Sequence, residues 1–92
     1  MKELKTSLVS YHRYSKAVIC DWSEDLKDNW VLIYYRGRKE DKIFGKLDSQ
    51  WGYIPYKCNF STVYNDYRLY TYLQSDDRVF LLNKEEVAKY MV

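Results

Sequence analysis

The chain has 92 residues, 47% of them hydrophobic and 18% aromatic, and this composition predicts a single folded domain over residues 1–92 rather than a disordered chain. Its formal net charge of +2 is too small for a binder held mainly by phosphate contacts, and it excludes the strongly acidic surface of a DNA mimic. No run approaches the roughly 20 apolar residues of a membrane span, and residues 1–5 lack an apolar core, so neither a membrane segment nor a signal peptide is expected.

The two cysteines, Cys20 and Cys58, lie far apart in the sequence, and neither belongs to a C-x-x-C pair. Small secreted domains that rely on disulfides carry a denser set of cysteines. We therefore expect two reduced thiols and a cytoplasmic protein, located in the host cytoplasm if the chain is phage-encoded. One structural disulfide is the alternative.

The first third of the chain favours strands. Residues 4–14 fit a helix or a strand, and their Ser, Thr, Val and Tyr content favours a strand from about Ser7. Residues 16–21 predict a strand buried on both faces. Residues 23–26 begin with a serine followed by two acidic side chains, which is typical of an N-capped helical turn.

The middle of the chain predicts hairpins. Residues 30–36 form the clearest strand, because they are β-branched or aromatic and almost uncharged. A charged turn over residues 36–41 then leads into a strand over residues 42–47. Residues 51–57 predict a further strand, in which Pro55 marks either an edge position or the end.

Residues 67–74 alternate in the manner of a strand with two different faces. Tyr67, Leu69, Thr71 and Leu73 fall on one face, and Arg68, Tyr70, Tyr72 and Gln74 fall on the other. The second set combines two tyrosines with polar neighbours. It is therefore either a contact surface or a face covered by the C-terminal helix.

The C-terminal part predicts a turn, a short strand over residues 78–82 and a helix over about residues 84–91. Asn83 suits the N-cap of this helix, and two glutamates occupy its first turn. We expect Val87, Ala88 and Met91 to pack on the sheet. The fold class predicted is α+β, with a mostly antiparallel, twisted sheet of five to six strands, or a small partial barrel, and a short C-terminal helix.

The segment Gly52-Tyr53-Ile54-Pro55 resembles the Gly-Tyr-Ile-Pro segment that closes SH3 domains. The resemblance covers four residues of the 92 and lacks the acidic loop and paired tryptophans of that family. It implies small-barrel geometry only, and peptide binding is not carried over from it.

The chain contains eleven tyrosines, and six of them fall between Tyr53 and Tyr72. Tyrosine, tryptophan and arginine dominate binding hot spots, since they bury large areas with few rotatable bonds. We therefore predict a partner-binding surface drawn from Tyr70, Tyr72, Arg68, Trp51, Tyr53 and Tyr56.

A basic turn competes with this surface. Residues 36–46 carry five basic and two acidic side chains and follow a pair of tyrosines. Arginine forks suit phosphates, and neighbouring rings can stack on bases. A site for nucleic acid or an acidic partner is therefore predicted from Tyr34, Tyr35, Arg36, Arg38, Lys39, Lys42 and Lys46. A solvated hairpin tip is the simpler interpretation.

Catalytic signals are weak. His12 is the only histidine, and with nearby Arg13 and Tyr14 it matches only the composition of metal-free ribonucleases. No catalytic residue, metal site or cofactor is predicted.

The leading hypothesis is a non-enzymatic interaction protein of phage or mobile-element type that binds and inhibits or modulates a host enzyme or defence complex. A nucleic-acid-binding β module is the first alternative, and a small metal-independent ribonuclease or toxin is the second. A protein partner is expected, no membrane is involved, and homodimerisation stays open.

Overall fold

The computed structural model of the chain describes residues 1–12, 15–56 and 71–91, which form eight strands, two short 3-10 turns and one helix. The strands are β1 Lys2–Leu4, β2 Thr6–His12, β3 Ser15–Cys20, β4 Trp30–Tyr34, β5 Lys42–Ser49, β6 Gly52–Pro55, β7 Thr71–Tyr72 and β8 Arg78–Leu81. The 3-10 turns are Glu24–Leu26 and Tyr35–Gly37, and the helix α1 is Lys84–Tyr90.

Six strands form an open antiparallel sheet in the order β1-β8-β4-β5-β6-β7, while β2 and β3 form a separate hairpin. The predicted α+β class, with a mostly antiparallel sheet and a short C-terminal helix, is confirmed. The sheet is open among the described residues, with β1 and β7 at its two edges.

Alternation along the central strand β4 divides the sheet into two faces. Val31 and Ile33 point to the first face, whose buried cluster also contains Tyr53 and residues of the hairpin β2–β3. Leu32 and Tyr34 point to the second face and pack with Phe80 of β8. The first face therefore holds the larger core, and the hairpin covers it.

The helix α1 is capped as the sequence predicts. The side chain of Asn83 accepts a hydrogen bond from the backbone N–H of Glu86 at 2.8 Å, and the Glu86 carboxylate accepts one from the N–H of Asn83 at 3.1 Å. The expected packing is wrong for Ala88 and Met91, which are exposed. The ring of Tyr90 contacts the sheet instead.

The N-terminal segment and the central turn differ in detail from their predictions. The strand interpretation of residues 4–14 is confirmed as far as residue 12, because β1 pairs with β8 and β2 pairs with β3. The strand predicted over residues 30–36 ends at Tyr34, since Arg36 and Gly37 adopt left-handed φ angles of 54° and 77°. Pro55 ends β6, as predicted.

Candidate contact surface

An open groove of about 750 Å³ lies on the first face, between the hairpin β2–β3 and the sheet edge at β7. Val18 and Leu73 are buried at its base. Leu8 of β2 and Tyr72 of β7 line it and remain 57% and 64% exposed. Large apolar side chains in such a position are typical of interaction sites rather than of a solvated surface.

The hairpin creates the groove because only its base packs against the sheet. On the inner side of β3, Cys20 is 2% exposed, Val18 is 9% exposed and Lys16 is exposed. The paired strand places Leu8 opposite Val18. Towards its turn the hairpin therefore places Leu8 and Lys16 along the groove.

The residues predicted for the tyrosine surface separate in the structure. Trp51 and Tyr72 both line the groove. Tyr53 is only 1% exposed, so the prediction that placed it on a contact surface is corrected: it is a core residue of the first face. Tyr56 belongs to the second face. Arg68 and Tyr70 lie outside the described residues.

The second face carries a stack of rings instead of a groove. Trp30 and Phe44 stack with their ring centroids 4.7 Å apart, and Tyr90 of α1 stacks on Phe44 at 5.4 Å. The ammonium group of Lys46 lies 4.8 Å from the centroid of the Trp30 ring, and Tyr56 meets both Trp30 and Phe44 edge-on. These aromatic side chains thus pack against one another, and Lys46 adds a cation–π contact.

The two tyrosines that were predicted to stack on bases beside the basic turn pack against the protein instead. Tyr34 is only 6% exposed and packs against Phe80 on the second face, so its ring cannot receive a base. Tyr35 is half-buried against the first-face core, and the Arg36 guanidinium lies 5.4 Å from its ring centroid. Consecutive residues of the chain therefore point to opposite sides of the sheet.

The predicted cations also divide into two groups. Arg36, Arg38 and Lys39 are exposed at the end of the β4–β5 hairpin, and we refer to these three residues as the basic tip. Lys42 and Lys46 stand opposite Tyr34 and Trp30 in the register of β4 and β5, which places them on the second face. A single patch that contains all five cations is therefore not formed.

A buried carboxylate joins the basic tip to the groove. Asp77 is 2% exposed and accepts a hydrogen bond from the backbone N–H of Arg36 at 2.7 Å and from that of Gln74 at 2.8 Å. Burial raises the pKa of Asp77, and the two N–H donors oppose that shift. Gln74 lines the groove, so one side chain connects the two surfaces.

The remaining chemical groups are as follows. Cys20 is a free, buried thiol, and burial raises its pKa to about 11, while Cys58 lies outside the described residues. Within residues 1–12, 15–56 and 71–91, no three His, Cys, Asp or Glu side chains are grouped to hold a metal ion. His12 ends β2 opposite Ser15.

Sequence reasoning missed Leu8, Lys16 and Asp77. Leu8 is the apolar member of a β2 face that otherwise carries Thr6 and Ser10, and this isolation is the signal that could have found it. Asp77 follows Asp76 in an ordinary turn sequence, and no local signal distinguishes the buried carboxylate from the exposed one.

No family model, curated protein or solved structure matches the chain. No helix in the part of the chain that the structure describes is long and apolar enough to cross a membrane.

Proposed function

We propose that this chain is a non-enzymatic interaction protein that binds another protein through the groove and thereby inhibits or modulates it. The observation that carries the proposal is the exposure of Leu8 and Tyr72 on either side of an open groove with an apolar base. Binding hot spots combine such aromatic and aliphatic anchors with a concave surface from which water can be excluded.

A protein partner fits this site better than a nucleic acid. The base of the groove is aliphatic, formed by Val18 and Leu73, and among the described residues Lys16 is the only charged side chain that lines it. Tyr35 and Tyr34, which adjoin the basic tip, pack against the cores of the first and second face respectively. The small size, aromatic load and near-neutral charge of the chain support a role in steric occlusion, for which a host enzyme or defence complex is our proposed target.

Site-specific photo-crosslinking tests the proposal. A photoreactive phenylalanine analogue is introduced at position 72 in the complete chain, which is then irradiated in an extract of its source cells. The matched control carries the analogue at Tyr90, which is 36% exposed on the second face. We expect a discrete protein adduct from position 72 and none from position 90.

The Leu8→Asp substitution provides the second arm, since it places a charge at the groove without touching the sheet core. It should remove the adduct from position 72 while leaving the melting temperature close to that of the parent. Equal adducts from positions 72 and 90, or an adduct that survives Leu8→Asp, would contradict the proposal. An adduct of twice the mass of the chain would identify a second copy as the partner and would rule out a separate target.

A further inference from the structure

We infer that the chain forms a symmetric dimer in which the outer edge of β2 pairs with the same edge of a second copy. The two strands run antiparallel, with Leu8 of one copy opposite Leu8 of the other. The pairing joins the two-stranded sheets of both copies into one sheet of four strands. This inference goes beyond the proposed function, because it concerns another surface of the chain and a different partner.

The first step in the argument is the hydrogen bonding at the base of the hairpin β2–β3. Asp21 donates its N–H to the C=O of Lys5 at 2.9 Å, so this pair is bonded across the hairpin. The N–H of Cys20, the next residue along β3, donates instead to the C=O of Gln50 at 2.9 Å and points away from β2. The pair of Cys20 with Thr6 is therefore a non-hydrogen-bonded pair of the ladder.

Bonded and non-bonded pairs alternate along an antiparallel ladder, which extends this result along β2. Ser7 and Val9 direct their N–H and C=O groups at β3, while Thr6, Leu8 and Ser10 direct theirs to the opposite side. The register is regular over these residues, since the shift in pairing comes after Ser10. Among the described residues β2 pairs with β3 alone. Its outer edge therefore presents evenly spaced donors and acceptors to another strand.

The second step is the match between this edge and a copy of itself. With Leu8 opposite Leu8, Thr6 stands opposite Ser10, and Ser7 stands opposite Val9. In this register every outward N–H and C=O from Thr6 to Ser10 meets a partner. The Leu8 side chain is 57% exposed in the single chain, and the same side chain of the second copy covers it at the twofold axis.

The third step is the lack of the features that keep edge strands apart. Natural edges are protected by charged side chains, Pro or a bulge. Residues 6–10 read Thr-Ser-Leu-Val-Ser, with no charged side chain and no Pro. The edge strand β1 shows the contrast, because Lys2 and Glu3 are exposed and Glu3 accepts two hydrogen bonds of 2.8 Å from Arg78. A second copy thus meets no like charge at β2.

The twofold pair is a closed assembly, since each copy uses its single β2 edge once. A two-stranded hairpin is marginal on its own in water, and a sheet of four strands is more stable. Tyr72 belongs to β7 in the large sheet, so the pairing does not use it. Leu8 also lines the groove, which places the grooves of the two copies on either side of the axis.

Sedimentation equilibrium of the complete chain, at concentrations rising to about 1 mM, tests the inference. We expect the mass to rise to twice that of the chain and no further. Leu8→Lys places two ammonium groups opposite each other at the axis, and Leu8→Glu places two carboxylates there. Each variant alone should dimerise about tenfold more weakly or worse than the parent. An equimolar mixture of the two should restore the dimer, because opposite charges then face each other.

Two sets of controls accompany these variants. Met91→Lys and Met91→Glu add the same charges at a side chain that is 44% exposed beyond α1, and both should dimerise as the parent does. Tyr72→Ala should also dimerise normally, since its ring borders the groove on the other sheet.

Amide hydrogen exchange measured by NMR reads the edge directly. The amides of Thr6, Leu8 and Ser10 should exchange more slowly as the concentration of the chain rises. Those of Ser7 and Val9 should keep the same rate, because their hydrogen bonds lie within the hairpin. The reverse pattern would show that another surface forms the contact and would overturn the inference.

The remaining outcomes are equally decisive. A chain that stays monomeric at about 1 mM, a dimer that persists in both Leu8 variants, or a mixture of these variants that stays monomeric would overturn the inference. Equal weakening by the Met91 variants, or loss of the dimer in Tyr72→Ala, would do so as well. A monomeric chain leaves the proposed function intact, because that proposal is read from a protein adduct at position 72.

Discussion

The two faces of the sheet pack their aromatic residues differently. On the second face, Trp30, Phe44 and Tyr90 stack on one another, and the short helix α1 contributes the last ring. On the first face, the hairpin covers an aliphatic core that contains Tyr53, and it leaves Tyr72 beside an open groove. Tyrosines therefore pack in the cores of both faces, and Tyr72 at the edge of the sheet stays mostly exposed.

This difference shows why composition alone does not locate a contact surface. Tyr53 and Tyr72 lie on neighbouring strands, and the residue paired with Tyr53 is Thr71, the immediate neighbour of Tyr72. One step along a strand reverses the side to which a side chain points, so Thr71 shares the side of Tyr53 and Tyr72 leaves β7 on the other side. Tyr72 therefore borders the groove at the open edge of the sheet and not from the first-face core.

The largest expected effect distinguishes these two tyrosines. Tyr53→Ala removes a fully buried ring and should lower the free energy of unfolding by about 3–5 kcal/mol. Tyr72→Ala removes a mostly exposed ring and should change it by less than about 0.5 kcal/mol. Urea denaturation measures both values, and similar losses from the two variants would refute the assignment of one ring to the core.

The next effect concerns the link between the groove and the basic tip. Asp77→Ala leaves two backbone N–H groups, those of Arg36 and Gln74, without their acceptor. We expect the free energy of unfolding to fall by roughly 2–4 kcal/mol. Asp77→Asn keeps one acceptor oxygen, so it should lose less in the same denaturation experiment. Equal stability of Asp77→Ala and the parent would mean that the carboxylate does not hold the two turns.

A smaller effect is expected on the second face. Tyr90→Ala removes the ring that docks α1 on Phe44, and it should cost about 0.5–1.5 kcal/mol. Tyr90→Phe keeps the stacked ring and serves as the matched control. Thermal unfolding followed by tryptophan fluorescence measures both variants, and a control that loses as much as the alanine variant would show that stacking is not what holds the helix.

The smallest expected effect is the loss of stability that deprotonation of the Cys20 thiol causes at high pH. Because burial raises its pKa from 9.0 to about 11, the unfolded chain loses this proton first as the pH rises. The contribution of Cys20 to stability is therefore complete below pH 9 and is lost as the pH rises towards 11. Iodoacetamide at pH 8 should label the Cys20 peptide slowly in the native protein and rapidly in denaturant, as read by mass spectrometry. Rapid native labelling would show that the thiol is accessible.

Local signals in the sequence predicted much of the fold. The β4 strand is marked by β-branched and aromatic residues, and the capping box at Asn83 lies within four consecutive residues. Such elements are specified by neighbours in the chain. The end of β4 was misplaced because the left-handed conformation of Arg36 depends on Asp77, which is distant in sequence.

The candidate site was predicted only in part for the same reason. Trp51 and Tyr72 were identified from residue type, and both line the groove. The isolated apolar Leu8 was a signal in the sequence, but its place at the groove depends on how the hairpin β2–β3 packs on the sheet. No property of Tyr53 as a residue separates it from Tyr72; only the long-range pairing of β6 and β7 does so.

The most direct test is a comparison of Tyr72→Ala with Tyr90→Ala in two measurements, affinity for the protein captured by crosslinking from position 72 and melting temperature. The division of the two faces predicts that Tyr72→Ala loses affinity at an unchanged melting temperature. It predicts that Tyr90→Ala loses melting temperature at an unchanged affinity. A Tyr72→Ala variant that melts early, or a Tyr90→Ala variant that loses the captured protein, would contradict the assignment of contact to the groove and packing to the second face.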